Sequence, residues 1–210
     1  MPTIYPLIAT LGAYLIGSLS FAVLVSRVMG LSDPRTYGSN NPGATNVLRS
    51  GNKKAAVLTL LLDALKGWLP VVVVKWWGGD LGLGDGTVAL VGLAAFLGHL
   101  YPVFFGFKGG KGVATAAGVI LAFDPWLGLA SLATWLIIAG FFRYSSLASM
   151  VTAVFAPFFF LLGDGTVWDA PAVQVLSLAL MGLLLIWRHA ENINRLVAGK
   201  ESKLGSKKKS

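Results

Sequence analysis

From Ile4 to Met29 the chain carries one charged residue, Arg27, and that apolar run is the first of seven. The others are read near Ala55–Trp77, Thr87–Phe107, Val113–Phe123, Trp126–Phe142, Leu147–Leu162 and Ala170–Trp187. Continuous apolar stretches suit the interior of a bilayer, where a segment must be helical for its backbone hydrogen bonds to close within itself. The pattern predicts an all-α integral membrane protein of seven transmembrane helices. Some are short or tilted, because several runs fall below the roughly 20 residues that cross a ~30 Å hydrocarbon core. Composition agrees, with 55% hydrophobic and 12% charged residues and a mean hydropathy of +0.72, far from a soluble domain. Val113–Phe123 is the weakest span, a tilted crossing or half of a hairpin, set off from the next by Asp124-Pro125. The first run has no basic region before it and is long enough to span, so it reads as a retained span rather than a cleavable signal peptide. With no cysteine, there is no disulfide framework, thiolate nucleophile or cysteine-held metal to consider, and redox chemistry is not expected.

Charge orients the spans. Of seventeen Lys and Arg, fifteen fall on one side, Lys75 on the other and Lys66 within a span, while the opposite loops carry Asp80, Asp85, Asp124, Asp164 and Asp169. The positive-inside rule then predicts a periplasmic N-terminus and a cytoplasmic C-terminus. This bias accounts for most of the +8 net charge, so nucleic acid is not needed as a partner. The division expected is a membrane domain over 1–199 and a basic cytoplasmic tail over 200–210, whose Lys207–Lys209 run favours anionic headgroups by about 1 kcal/mol per lysine.

The same parity puts Gly38–Arg49, Lys108–Thr115, Arg143–Ser146 and His189–Glu201 on the cytoplasmic face, where they can converge. The segment Lys108-Gly109-Gly110-Lys111-Gly112-Val113-Ala114-Thr115 has glycines that let backbone N–H groups approach an anion and lysines that add charge. It lacks the order and preceding strand of a nucleotide P-loop, so it points to a small or lipidic phosphate rather than ATP. The segment Gly38-Ser39-Asn40-Asn41-Pro42-Gly43-Ala44-Thr45-Asn46 is rich in hydroxyls, amides and turn formers. A turn with a helix cap explains those residues, but not Arg49 beside them. His189 next to Arg188 suits a snorkelling interfacial pair; its company of Glu191, Asn192, Asn194, Arg195 and Glu201 also suits the orientation of a polyol or phosphate. His99 reads as a packed, hydrogen-bonded histidine. Asp63 and Lys66, at i, i+3 on the second span, read as an ion pair facing the bundle, with a polar cavity lining as the alternative. Trp76, Trp77, Trp126, Trp168 and Trp187 read as an interfacial belt, and there is no convincing metal-ligand cluster.

These residues closely resemble the bacterial acyl-phosphate:glycerol-3-phosphate acyltransferases, the PlsY family of seven-helix inner-membrane enzymes. The family's first motif resembles Gly38–Asn46 with Arg49, its second Lys108–Thr115, and its third His189, Asn192-Ile193, Arg195-Leu196 and Glu201. Asp63 with Lys66-Gly67, Gly98-His99 with Pro102, and Ser145-Ser146-Leu147 also resemble family positions, and the match runs nearly the whole chain. One departure is Asn40, where glycine is common, and asparagine tolerates positive φ. The resemblance implies transfer of a fatty acyl group from acyl phosphate to the 1-hydroxyl of sn-glycerol 3-phosphate, giving lysophosphatidic acid and inorganic phosphate, with no cofactor. It implies catalytic roles for Ser39, Arg49, Lys108, Ser146, His189 and Asn192. It implies substrate or phosphate contacts from Gly38, Asn41, Gly43, Thr45, Asn46, Gly109, Gly110, Lys111, Gly112, Thr115, Arg195 and Glu201. An acyl-phosphate-forming enzyme is the implied metabolic partner.

The attacking hydroxyl loses a proton either to His189 or to a substrate phosphate, and the substrate-assisted route is favoured. A covalent acyl-serine is less attractive, since Ser39 and Ser146 lack an elbow motif or an assigned base. Neither histidine is followed four residues later by the Asp that typifies acyl-CoA-dependent acyltransferases. The alternative from another class is a small organophosphate transporter with Asp63 and Lys66 on its path.

Overall fold

The computed structural model describes residues 4–205, so the Lys207–Lys209 run lies outside the described residues. Its helices are α1 (Ile4–Gly17), α2 (Phe21–Val28), α3 (Ala44–Leu48), α4 (Lys53–Trp77), α5 (Asp85–Leu100), α6 (Val113–Phe123), α7 (Pro125–Phe142), α8 (Ser145–Leu162), α9 (Ala172–Arg188) and α10 (Ala190–Val197). Each of the seven apolar runs forms α-helix over most of its length. Four segments, α4, Asp85–Phe105, α7 and α8, are long and apolar enough to cross a membrane, and six if the bent pairs α1/α2 and α9/α10 each count once. The eleven-residue α6 is shorter.

The first run departs from expectation. It breaks at Ser18-Leu19-Ser20, and α2 turns 44° away from α1. A break frees backbone carbonyls that lipid cannot satisfy. Lys66 meets that need from α4: its ammonium donates to the Leu19 carbonyl at 2.6 Å and pairs with Asp63 at 2.7 Å, both side chains buried. The expected ion pair therefore faces the bundle. Lys75 does similar work on the last turn of α6, donating to the Ala122 and Phe123 carbonyls at 3.0 and 2.7 Å.

Loop residues set the helix starts. The Asn52 side chain accepts the Ala55 N–H at the head of α4, and Asp124 accepts those of Trp126 and Leu127 at the head of α7, with Pro125 opening the helix. Asp124-Pro125 thus divides α6 from α7, as expected. Small residues let α4 and α6 approach: a Cβ on Gly118 would overlap the Ala64 carbonyl. The core lies among α4, α5, α6, α8 and α9, where Val71, Val91, Phe96, Val119 and Phe160 are fully buried. Trp76, Trp77, Trp126 and Trp187 are exposed, as a belt requires. Trp168 is not: it packs on Phe160 and donates its indole N–H to that residue's carbonyl at 2.7 Å, because a half-buried indole seeks an acceptor.

Candidate active site

The loop before α4 is built around one amide. Asn46 is 1% exposed; its Nδ2 donates to the Pro34 and Tyr37 carbonyls at 2.7 and 3.0 Å, and its Oδ1 accepts the Ser39 N–H at 3.0 Å. The chain reaches it through two left-handed residues, Gly38 (φ 63°) and Asn40 (φ 53°), so asparagine does adopt the positive φ expected of it. Gly43 precedes α3, Asn41 and Ser39 are half-buried, and Thr45 and Arg49 are exposed on α3 and its end. Arg49 Nη2 donates to Ser202 Oγ at 2.9 Å, tying this loop to residues after α10.

The glycine-rich loop lies across the end of α5. The Gly110 N–H donates to the His99 carbonyl at 3.2 Å. From the other side Arg188 donates to the Gly109 and Gly110 carbonyls at 3.0 and 3.3 Å. Gly112 opens α6. Lys108 is exposed, whereas the Lys111 ammonium donates to Asn192 Oδ1. Burial, reinforced by the nearby Arg195 charge, lowers the Lys111 ammonium to about 8 despite Glu201 and Glu191. Thr115 is not brought into the site: it is fully buried and stands against Gly67 of α4.

Glu201 gathers the remaining groups. Its Oε1 accepts from Ser146 Oγ at 2.7 Å and Asn192 Nδ2 at 2.6 Å, and its Oε2 accepts from Arg195 Nε at 2.7 Å. Burial alone would raise this carboxyl, but the bonds from Ser146, Arg195 and Asn192 outweigh it and hold it below the ordinary glutamate value. His189 is buried between α9 and α10. Its Nδ1–H donates to the Leu185 carbonyl at 2.8 Å, which leaves Nε2 as the acceptor of a neutral imidazole.

The four segments therefore touch. Ser146, Glu201, Asn192 and Lys111 form one hydrogen-bonded chain, Arg49 joins at Ser202, and Gly110 lies close to Pro42. Beside them opens a cleft of about 400 Å³ lined by Arg35, Asn40, Pro42, Phe107, Lys108, Gly109 and Arg188. The sequence read Arg35 only as a positive-inside cation and Arg188 only as an interfacial neighbour of His189. Each looks like an ordinary cation of a positive-inside loop, and no local spacing signals that it lines a cleft. An apolar groove of about 270 Å³ runs down from this end between α8 and α9, lined by Met150, Val151, Val154, Phe155 and Ile186. Among the described residues no group of acidic, cysteine and histidine side chains has the makings of a metal site.

The helical bundle thus carries a cationic cleft and a hydroxyl–carboxylate–amide–ammonium cluster at one end, and comparison with known proteins shows it to be an integral membrane acyltransferase. The sequence model of the family described as "Glycerol-3-phosphate acyltransferase" matches residues 7–199, and the chain belongs to that family. It is 65% identical over 207 residues to the glycerol-3-phosphate acyltransferase of Albidiferax ferrireducens (99% of this chain, 92% of the relative). The identity to that of Ralstonia pickettii is 64% over 208 residues (99% and 98%). Among solved structures it resembles PlsY (YgiH), an integral membrane glycerol 3-phosphate acyltransferase, in its glycerol 3-phosphate form, with TM-score 0.87, 43% identity and 96% of each chain covered. The lysophosphatidic acid form gives TM-score 0.85 and 42% identity over the same 96% shares.

Proposed function

We propose that the chain transfers a fatty acyl group from acyl phosphate to the 1-hydroxyl of sn-glycerol 3-phosphate, giving lysophosphatidic acid and inorganic phosphate. The site would face the cytoplasm from a bacterial inner membrane, with the N-terminus periplasmic. The observation that carries this reading is the cleft in which Lys108, Arg35 and Arg188 meet beside the Ser146–Glu201–Asn192–Lys111 chain. Two phosphate-bearing reactants need cations there, and the family to which the chain belongs acts on glycerol 3-phosphate. The apolar groove begins about one turn from Ser146 along α8 and close to His189 along α9, and it suits a donor's acyl chain.

In the reaction the glycerol hydroxyl oxygen attacks the acyl carbonyl carbon, negative charge gathers on the carbonyl oxygen, and the acyl–phosphate bond breaks as phosphate leaves. Lys108 and Arg49 are assigned to neutralise phosphate charge and Ser39 and Thr45 to hydrogen-bond phosphate oxygens, while Ser146, whose hydroxyl donates to Glu201 in the free protein, exchanges that acceptor for a phosphate oxygen. His189 Nε2 and Asn192 orient the acceptor, and a phosphate oxygen takes the hydroxyl proton. Alignment of the two reactants can itself supply several kcal/mol. Asn46, whose amide is engaged by its own loop, acts through the loop's shape rather than by touching substrate. The transporter alternative has no observation in its favour, since Lys66 is buried in an ion pair with Asp63 and donates to the Leu19 carbonyl.

Purified protein in detergent or lipid, given synthetic acyl phosphate and labelled glycerol 3-phosphate, should form lysophosphatidic acid and phosphate in equal amounts, with acyl-CoA inactive as the parallel donor. Activity with acyl-CoA alone would sink the donor assignment. His189→Ala should retain measurable turnover while Lys108→Ala and Arg49→Ala nearly abolish it; a dead His189→Ala that still binds glycerol 3-phosphate would overturn the substrate-assisted route.

A further inference from the structure

Beneath the glycine-rich loop lies a charged layer that the proposed chemistry does not use. Asp63 and Lys66 on α4 and His99 on α5 are all buried. Lys66 Nζ stands 2.7 Å from Asp63 Oδ1, and His99 Nδ1 stands 3.6 Å from the same oxygen. His99 Nδ1 makes no hydrogen bond, contrary to the hydrogen-bonded histidine expected from the sequence, and at 3.6 Å it faces the Asp63 carboxylate without bonding to it. The far edge of the ring meets the loop. A Cβ added to Gly110 would overlap His99 Nε2 and come within 3.0 Å of its Cε1 and of the Pro42 carbonyl oxygen. The Gly110 N–H is bonded to the His99 carbonyl, and Arg188 pulls on the Gly109 and Gly110 carbonyls from the opposite side. The backbone at Gly110 is thus held between an imidazole and a guanidinium.

We propose that His99, steered by Asp63, is a positioning residue for phosphate capture: its imidazole edge sets how deeply Gly110 seats and hence where the Lys108–Gly112 segment presents its groups. The inference rests on reading that segment as a phosphate-binding element. The physical link is the tautomer. An Asp63 carboxylate next to Nδ1 keeps the proton on Nδ1 and leaves Nε2 bare, and a bare nitrogen lets the Gly110 Cα approach where an N–H would push it away. Lys66 pairs with Asp63 in this role while it also holds the Leu19 carbonyl at the break in the first run. A charge pair deep in the bundle is thereby joined through one ring to the surface loop.

His99→Asn tests this directly, because asparagine keeps a polar atom near Nδ1 and lacks the Nε2 and Cε1 atoms that a Gly110 Cβ would meet. Full-length protein in detergent, confirmed folded by tryptophan-fluorescence melting, is assayed with glycerol 3-phosphate varied at fixed acyl phosphate. Gly110→Ala should raise KM for glycerol 3-phosphate by about tenfold or more, and His99→Asn by about threefold with kcat within about twofold. The double variant should return to about the KM of His99→Asn alone rather than the product of the two changes. If His99→Asn does not yield folded protein, His99→Ala removes the same two atoms and carries the same comparison. A double variant at or above the product of the single effects overturns the inference, as does His99→Asn that lowers kcat with KM unchanged. Gly110→Ala with wild-type KM overturns the phosphate reading of the loop and this inference with it, whereas a raised KM that His99→Asn does not relieve overturns the inference alone.

Discussion

Asn46 and Glu201 are both hubs that collect the polar groups of a loop, yet they draw their partners from different distances. Asn46 bonds to residues 12, 9 and 7 positions away. Glu201 reaches Ser146, 55 positions away, as well as Asn192 and Arg195. The first hub is neutral and closes one loop upon itself. The second is charged and draws together α8, α10 and the chain that follows. A local amide hub makes a rigid part; a long-range carboxylate hub assembles parts into a site. The two should therefore fail differently when removed.

The largest effect is expected from Glu201→Ala, which leaves Ser146, Asn192 and Arg195 without their acceptor. Lysophosphatidic acid formation should fall by more than about a hundredfold, since removing one partner of a charged, hydrogen-bonded cluster strands the others. Glu201→Gln, which keeps an acceptor oxygen, should fall between Glu201→Ala and wild type. Asn46→Ala should cost less activity, about tenfold, with a stability loss of about 1–3 kcal/mol from the orphaned Pro34 and Tyr37 carbonyls, read from the melting temperature. Activity lower in Asn46→Ala than in Glu201→Ala would reverse the comparison.

The hubs also differ in whether they titrate. Lys111 feeds the Glu201 cluster through Asn192, and its ammonium is lowered to about 8. The rate should fall as pH rises through about 8, Lys111→Arg should move that alkaline limb upward, and Asn46→Ala should leave its position unchanged. For stability the sign is opposite: the unfolded chain holds the Lys111 proton more tightly, so this group's penalty is relieved as pH rises from about 8 towards 10.5. Glu201, held below its ordinary value, contributes stability that is present above the unfolded value of 4.5 and is lost as pH falls through its lower folded value. Thermal melts from pH 3 to 10 check both signs. The smallest effect is expected from Asn40→Gly, which keeps the left-handed turn at φ 53°. It should shift stability by no more than about 0.5 kcal/mol and leave activity within about twofold.

Much of this architecture was legible residue by residue. Asp63 and Lys66 announce a pair because i, i+3 spacing places them on one helix face, and Asp124-Pro125 announces a helix start because cap chemistry is local. The break at Ser18–Ser20 was not legible, because the group that satisfies it comes from Lys66, 47 positions away. Trp168 differs for a more local reason: its acceptor, eight positions back, depends on how the turn after α8 folds onto Phe160. Thr115 belongs to a recognised motif, yet its helix turns it towards Gly67. Arg35 and Arg188 carry no local mark that separates a cation lining a cleft from one in a solvated loop.

The sequence by itself determined the bilayer environment, the helical character of the apolar runs and the buried ion pair. Those follow from hydropathy, backbone hydrogen bonding and spacing within a turn or two of helix, all of which are local. The tertiary structure alone decided which polar groups are consumed in holding loops and which remain to meet a ligand. Some of these choices are made within one loop, as at Asn46, but those that build the site join partners 55 to 81 positions apart, brought together at Glu201, Asn192 and Arg188 only when the helices have packed.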